Sequence, residues 1–109
     1  MVIKNETNNT TLAKSAITAK SLKQKTFGLI VHTIPTTMIF QTRYGIHTFF
    51  MKYPIDVLVL DKNKKVAAIK ENLKPNRIFT WNTKHDTVIE FPSGTLNKTN
   101  IGDQISLNE

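Results

Sequence analysis

The run Pro54 to Asp61, PIDVLVLD, narrows the possible folds more than any other part of the chain. Read as a strand, it puts Ile55, Val57 and Val59 on one side and Asp56, Leu58 and Leu60 on the other, so both faces are apolar except at one carboxylate. A strand of that kind must be covered on two sides, as in a sandwich or a barrel. Pro54 has no N–H and biases Tyr53 toward an extended form, so the chain bends or steps off the sheet at the entry to the run. Just upstream, the same alternation puts His47, Phe49 and Met51 on one face of a strand and Thr48, Phe50 and Lys52 on the other.

Shorter segments of the same kind surround this strand. Asp61-Lys62-Asn63-Lys64 is the polar tip of a hairpin, with Val66 to Ile69 as the returning strand. Ile34 to Arg43, Arg77 to Trp81, Thr87 to Phe91 and Ile105 to Leu107 each have strand composition, and Thr11 to Ala19 has it weakly. Ser21 is placed to cap a short basic helix carrying Leu22 and Leu29, and Thr95 to Asn100 can form one helical turn. The expectation is a mainly β fold, a small sandwich or barrel with six or seven short strands and one or two short helices. Residues 1–10, rich in Asn and Thr, are expected to form a flexible tail or a fraying strand, and residues 11–109 a single β domain.

Charge and composition exclude several classes. With no cysteine, neither disulfides nor thiolate metal sites can support the fold. The net charge of +7 is concentrated before Asp56, where Lys14, Lys20, Lys23, Lys25, Arg43 and Lys52 meet no acid after Glu6. A surface of that kind attracts anions. Nucleic acid is the less favoured partner, because only Arg43 and Arg77 could make bidentate contacts. No segment has the length to span a bilayer and the first twenty residues hold no signal-peptide core, so a cytoplasmic protein without a membrane partner is expected.

Several motifs in register carry a family resemblance: LKQKTFGLI from Leu22, HTFFMKYPIDVLVLD from His47, LKP from Leu73, VIEFPSGT from Val88 and IGDQI from Ile101. In order and spacing they resemble the uncharacterised family known as domain of unknown function 192, over roughly residues 18–107. The resemblance implies a jelly-roll type of β sandwich or barrel with a helix near the start, and it implies no established activity. Two positions depart from the family pattern. Gly28-Leu29-Ile30-Val31-His32 lacks the usual Arg, and Lys64 stands where the hairpin tip usually has Gly, so Asn63 is expected to supply the positive φ.

The candidate site residues are His47, Lys52, Asp56 and Arg77. Asp56 is the most informative, since a carboxylate within a two-faced apolar strand must be paired or hydrogen-bonded. The structural reading has it accept backbone N–H groups near the Tyr53-Pro54 bend or pair with Lys52. The functional reading gathers it with Lys52 and His47 in a pocket of low polarity. His32, His47 and His85 lack metal-site spacing, and with only four glycines no phosphate loop exists, so neither a metal nor a cofactor is expected. The leading expectation is a non-catalytic binding module for a small anionic molecule or a peptide, bordered by those four residues. The alternatives are an enzyme with Asp56 or His47 as general base and Lys52 stabilising negative charge, or a nucleic-acid binder using Lys14, Lys20, Lys23 and Lys25.

Overall fold

The computed structural model describes residues 1–18, 36–43, 45–49 and 51–108. The apolar run forms β6 (Ile55–Leu60), and all six of its residues are buried. It pairs antiparallel with β7 (Val66–Leu73) on one side and β9 (Thr87–Pro92) on the other. β9 pairs antiparallel with β4 (Met38–Gln41), which takes β3 (Ile17–Thr18) in parallel, giving the order β3-β4-β9-β6-β7.

The two apolar faces of β6 are covered by different sheets. Ile55, Val57 and Val59 pack with Met38, Phe40 and Val88 under Ile46 of β5 (Ile46–His47) and Phe79 of β8 (Ile78–Phe79), which pair with each other antiparallel. Leu58 and Leu60 pack with Ile39, Ile89 and Phe91 against Ile3 of β1 (Val2–Asn5) and Ile105 of β10 (Ile105–Asn108). β1 lies between β10 and β2 (Thr10–Ala13). The five-stranded sheet is thus a middle layer, and the two-sided covering follows from the alternation in β6. Each fully buried Phe or Leu here contributes roughly 1.5–3 kcal/mol. The fold is mainly β and sandwich-like, as expected.

Several details differ from expectation. Ten strands are present among the described residues in place of six or seven, because the N-terminal stretch adds β1 and the segment from Thr11 to Ala19, read as one weak strand, falls into β2 and β3. The first ten residues, expected as a flexible tail or a fraying strand, hold β1 in the centre of the three-stranded sheet. Ile3 fills the core and the Asn5 side chain donates to Asp103 Oδ2 at 2.8 Å. The helical turn expected at Thr95 to Asn100 is a pair of tight turns, with Thr95 N–H on Pro92 O at 3.3 Å and Thr99 N–H on Leu96 O at 3.0 Å. No helix occurs among the described residues, and the helix expected from Ser21 to Leu29 lies outside them. No helix long and apolar enough to cross a membrane is therefore present among the described residues. β5 stops at His47, and a turn closed by Met51 N–H on Thr48 O sends Met51 into the core while Phe49 stays outside.

At the β6–β7 hairpin the positive φ falls on Lys64, at 61°, and not on Asn63. Asp61 explains the shift. Its Oδ1 accepts from Asn63 N at 2.8 Å and Lys65 N at 3.0 Å, which fixes the turn so that the residue between them takes the left-handed conformation. The Lys65 N–H is the main reason the Asp61 carboxyl titrates below the ordinary carboxylate range. A left-handed lysine costs about 1–2 kcal/mol, part of which a glycine would lose again in chain entropy. Lys64→Gly should therefore raise stability by about 0.5–1 kcal/mol in urea denaturation. An unchanged or lower midpoint would show that the turn is unstrained.

Candidate functional site

Asp56 is fully buried on the face of β6 that turns toward β1 and β10. Its Oδ1 accepts from Asn72 N at 2.8 Å, and its Oδ2 from Gly94 N at 3.0 Å and Leu96 N at 2.9 Å. The partners are backbone N–H groups, as the structural reading required. They come from the end of β7 and from the turn after β9, not from the Tyr53-Pro54 bend or Lys52. Asn72 has a φ of 53°, which breaks the β7 ladder and frees its N–H for the carboxylate. A general base must reach the proton it removes. Asp56 is sealed from solvent and already holds three donors, so it has no such access.

His47 lies on the opposite side of the middle sheet. Ile46 and Phe79, paired across β5 and β8, point into the core, so their neighbours His47 and Ile78, also paired, point outward. Phe49 returns onto His47, with ring centroids 4.8 Å apart and planes at 23°, and its N–H donates to His47 Nδ1 at 3.3 Å. Lys52 is exposed on the bend before β6 and forms no ion pair with the buried Asp56. The four candidate residues therefore do not converge. The core under Ile55, Val57 and Val59 separates Asp56 from His47.

Arg77 is brought beside His47, and one buried side chain places it. Thr48 is fully buried; its Oγ1 donates to Lys74 O at 2.6 Å and accepts from Arg77 N at 2.9 Å, while its N–H donates to Arg77 O at 2.9 Å. Asn76 N–H adds a bond to Thr48 O at 3.0 Å, and its φ of 63° lets the chain reverse after Pro75. This turn holds Lys74 and Arg77 over the end of β7. Together with Lys70, Asn72, Leu73 and Ile78 they line a surface cavity of about 380 Å³. Lys70, Lys74 and Arg77 form no ion pair among the described residues. No carboxylate lines the cavity.

Sequence reasoning found Arg77 but missed Lys70 and Lys74, because their i, i+4, i+7 spacing with Arg77 marks one face only in a helix and the chain here is a strand broken by a turn. The turn at Pro75-Asn76 brings them together, and its clamp, Thr48, is far away in the chain. Glu90 was also missed. It is fully buried beside Val88 on β9, and its charge, after burial itself, raises the Tyr53 hydroxyl above the ordinary tyrosine value. A larger cavity of about 550 Å³ near Ile39 and Leu107 mixes Asp61 with Lys62 and Lys64, and the Asp61 carboxylate there is committed to its hairpin. No trio of His, Asp or Glu suited to a metal ion occurs among the described residues.

Related proteins share this architecture. A protein of unknown function from Novosphingobium aromaticivorans superposes with a TM-score of 0.79 at 15% identity, covering 97% of this chain and 82% of its own. A Sinorhizobium meliloti protein described as a putative transcription regulator superposes at 0.75 with 18% identity, covering 96% of this chain and 89% of its own. At these identities the likeness shows the fold alone. UPF0127 proteins of Pyrococcus abyssi and Pyrococcus horikoshii are 31% and 32% identical, each over 95% of this chain and 95% and 96% of their own length. The family model for DUF192, described as an uncharacterized ACR, matches residues 3–107, which carries the resemblance through the N-terminal strand. The chain thus belongs to the uncharacterised DUF192 family.

Proposed function

We propose that this domain is a non-catalytic binding module for small anionic groups, held in the groove between the end of β7 and the β5–β8 pair. One observation carries the reading: Lys70, Lys74 and Arg77 line a single cavity that no carboxylate lines. Three cations brought together by a turn repel one another, and an anion relieves that repulsion while accepting charge-assisted hydrogen bonds. Glu71, next to Lys70 on β7, does not line the cavity. Thr48 supports the reading as the residue that fixes the turn. His47 and Arg77 remain in the proposed site, Lys70 and Lys74 join it, and Asp56 and Lys52 fall outside it.

The test is an NMR titration of the whole domain with inorganic phosphate and pyrophosphate at low salt. Shifts should concentrate at Lys70, Lys74 and Arg77, with pyrophosphate the tighter ligand and binding weakened by added salt. Lys74→Glu and Arg77→Glu should each lower affinity about tenfold or more, as expected for charge-assisted contacts of about 1.5–3 kcal/mol. Lys62→Glu, on the remote hairpin, should leave it unchanged. Shifts spread over all surface lysines, or equal losses from Lys62→Glu, would sink the reading.

The description of the Sinorhizobium protein brings a nucleic-acid reading, which the net charge of +7 favours. Of the lysines expected to serve it, Lys14 is exposed, and Lys20, Lys23 and Lys25 lie outside the described residues. The anion groove is preferred because its cations converge on one place.

A further inference from the structure

We propose that the anion groove is half of a nucleotide site: the outward face of β5 and β8 receives the base of a nucleoside phosphate whose phosphate sits among Lys70, Lys74 and Arg77. The inference rests on the anion-binding reading above and adds the ring. Few large apolar side chains are exposed among the described residues, and two of them, Phe49 at 39% and Ile78 at 67%, stand on this one face. Leaving them in water is unfavourable, and apolar surface that is exposed beside a charged groove marks a contact site.

The geometry links the two halves. Ile78 lines the cationic cavity and also stands directly across from His47, on which the Phe49 ring is stacked. A ligand in the groove therefore has a flat aromatic surface at its side. The Phe49 backbone N–H bond to His47 Nδ1 restrains the imidazole, on which the Phe49 ring lies, before any ligand arrives. Stacked aromatic rings accept further flat rings with little regard to which base is offered.

Two features select a nucleoside phosphate over other anions with apolar parts. Three cations around one cavity suit a phosphate, which carries more charge and more acceptor oxygens than a carboxylate. The cavity, at about 380 Å³, is at the small end for ligand sites, enough for a phosphate and part of a sugar while the base lies outside on the rings. A longer polynucleotide would need cationic surface continuing past this groove, whereas among the described residues Phe49 and Ile78 make the face beside it apolar.

The experiment compares adenosine 5′-monophosphate, ribose 5-phosphate and short oligothymidylates on the whole domain by calorimetry and NMR. The nucleotide should bind about tenfold more tightly than ribose 5-phosphate, the gain expected of one stacked base. Phe49→Ala should remove that gain and leave ribose 5-phosphate binding as it was, and Arg77→Glu should weaken both. Equal affinity for the two phosphates, insensitive to Phe49→Ala, would overturn the nucleotide site while leaving the anion groove standing. Failure of either phosphate to bind would overturn both readings. Affinity that climbs steadily with oligothymidylate length would overturn the nucleotide site in favour of a nucleic-acid surface.

Discussion

Replacing Asp56 with alanine should destabilise the domain by about 3–5 kcal/mol, the cost of losing three hydrogen bonds to one buried carboxylate. The fully buried carboxylate holds Asn72 N–H, Gly94 N–H and Leu96 N–H, and of these Leu96 is itself buried and has no water to turn to. Asp56→Asn tests the charge alone, since it keeps the shape but replaces one acceptor by an NH₂ that must face a donor. Its expected cost is about 2–4 kcal/mol, and at roughly 4–8 °C per kcal/mol the melting temperature of either variant should fall by more than about 10 °C. Because Asp56 lies across the core from His47, phosphate affinity measured on folded Asp56→Asn should equal that of the unsubstituted protein. A loss below about 1 kcal/mol in urea denaturation would show that the three bonds are weak. An altered phosphate affinity would return Asp56 to the binding site.

Asp56 also marks the limit of what the sequence discloses. Its place in a strand with two apolar faces demands partners, but these lie 16, 38 and 40 residues ahead in the chain. Nothing in the local pattern could nominate them. By contrast, the central position of β6, its hairpin with β7 and the strand from Thr87 are all legible, since each depends on period-two alternation within a few residues. β1 was obscured for a different reason. Its polar residues suggest a tail, but Asn5 is buried through bonds to Asp103 and to the N–H groups of Thr7 and Asn8. The candidate site was half legible. His47 and Arg77 are neighbours because β5 and β8 pair, whereas Lys70 and Lys74 reach them only through the Thr48 clamp, a contact that no spacing rule foreshadows.

Substituting Gly45 by alanine should cost about 2–4 kcal/mol, combining backbone strain with overpacking. Gly45 has a φ of +148°, a conformation that residues with a side chain rarely adopt. A Cβ at this position would lie 2.7 Å from Phe79 O and 3.0 Å from Thr80 Cγ2. The carbonyl is part of β8 and cannot swing aside as a flexible side chain would, so β5 and β8 must move apart just where Ile46 pairs with Phe79. That pairing sets which residues face outward. A displaced β5 therefore carries His47 and Phe49 away from Ile78, while Lys70 stays on β7. In a Gly45→Ala domain kept folded at low temperature, the affinity for adenosine 5′-monophosphate should drop more than that for ribose 5-phosphate, which weakens only through the Thr48 bonds to Lys74 and Arg77. Equal loss for both ligands would mean that the β5–β8 pair holds the cations as well as the rings, through Thr48, and that groove and platform respond as one unit.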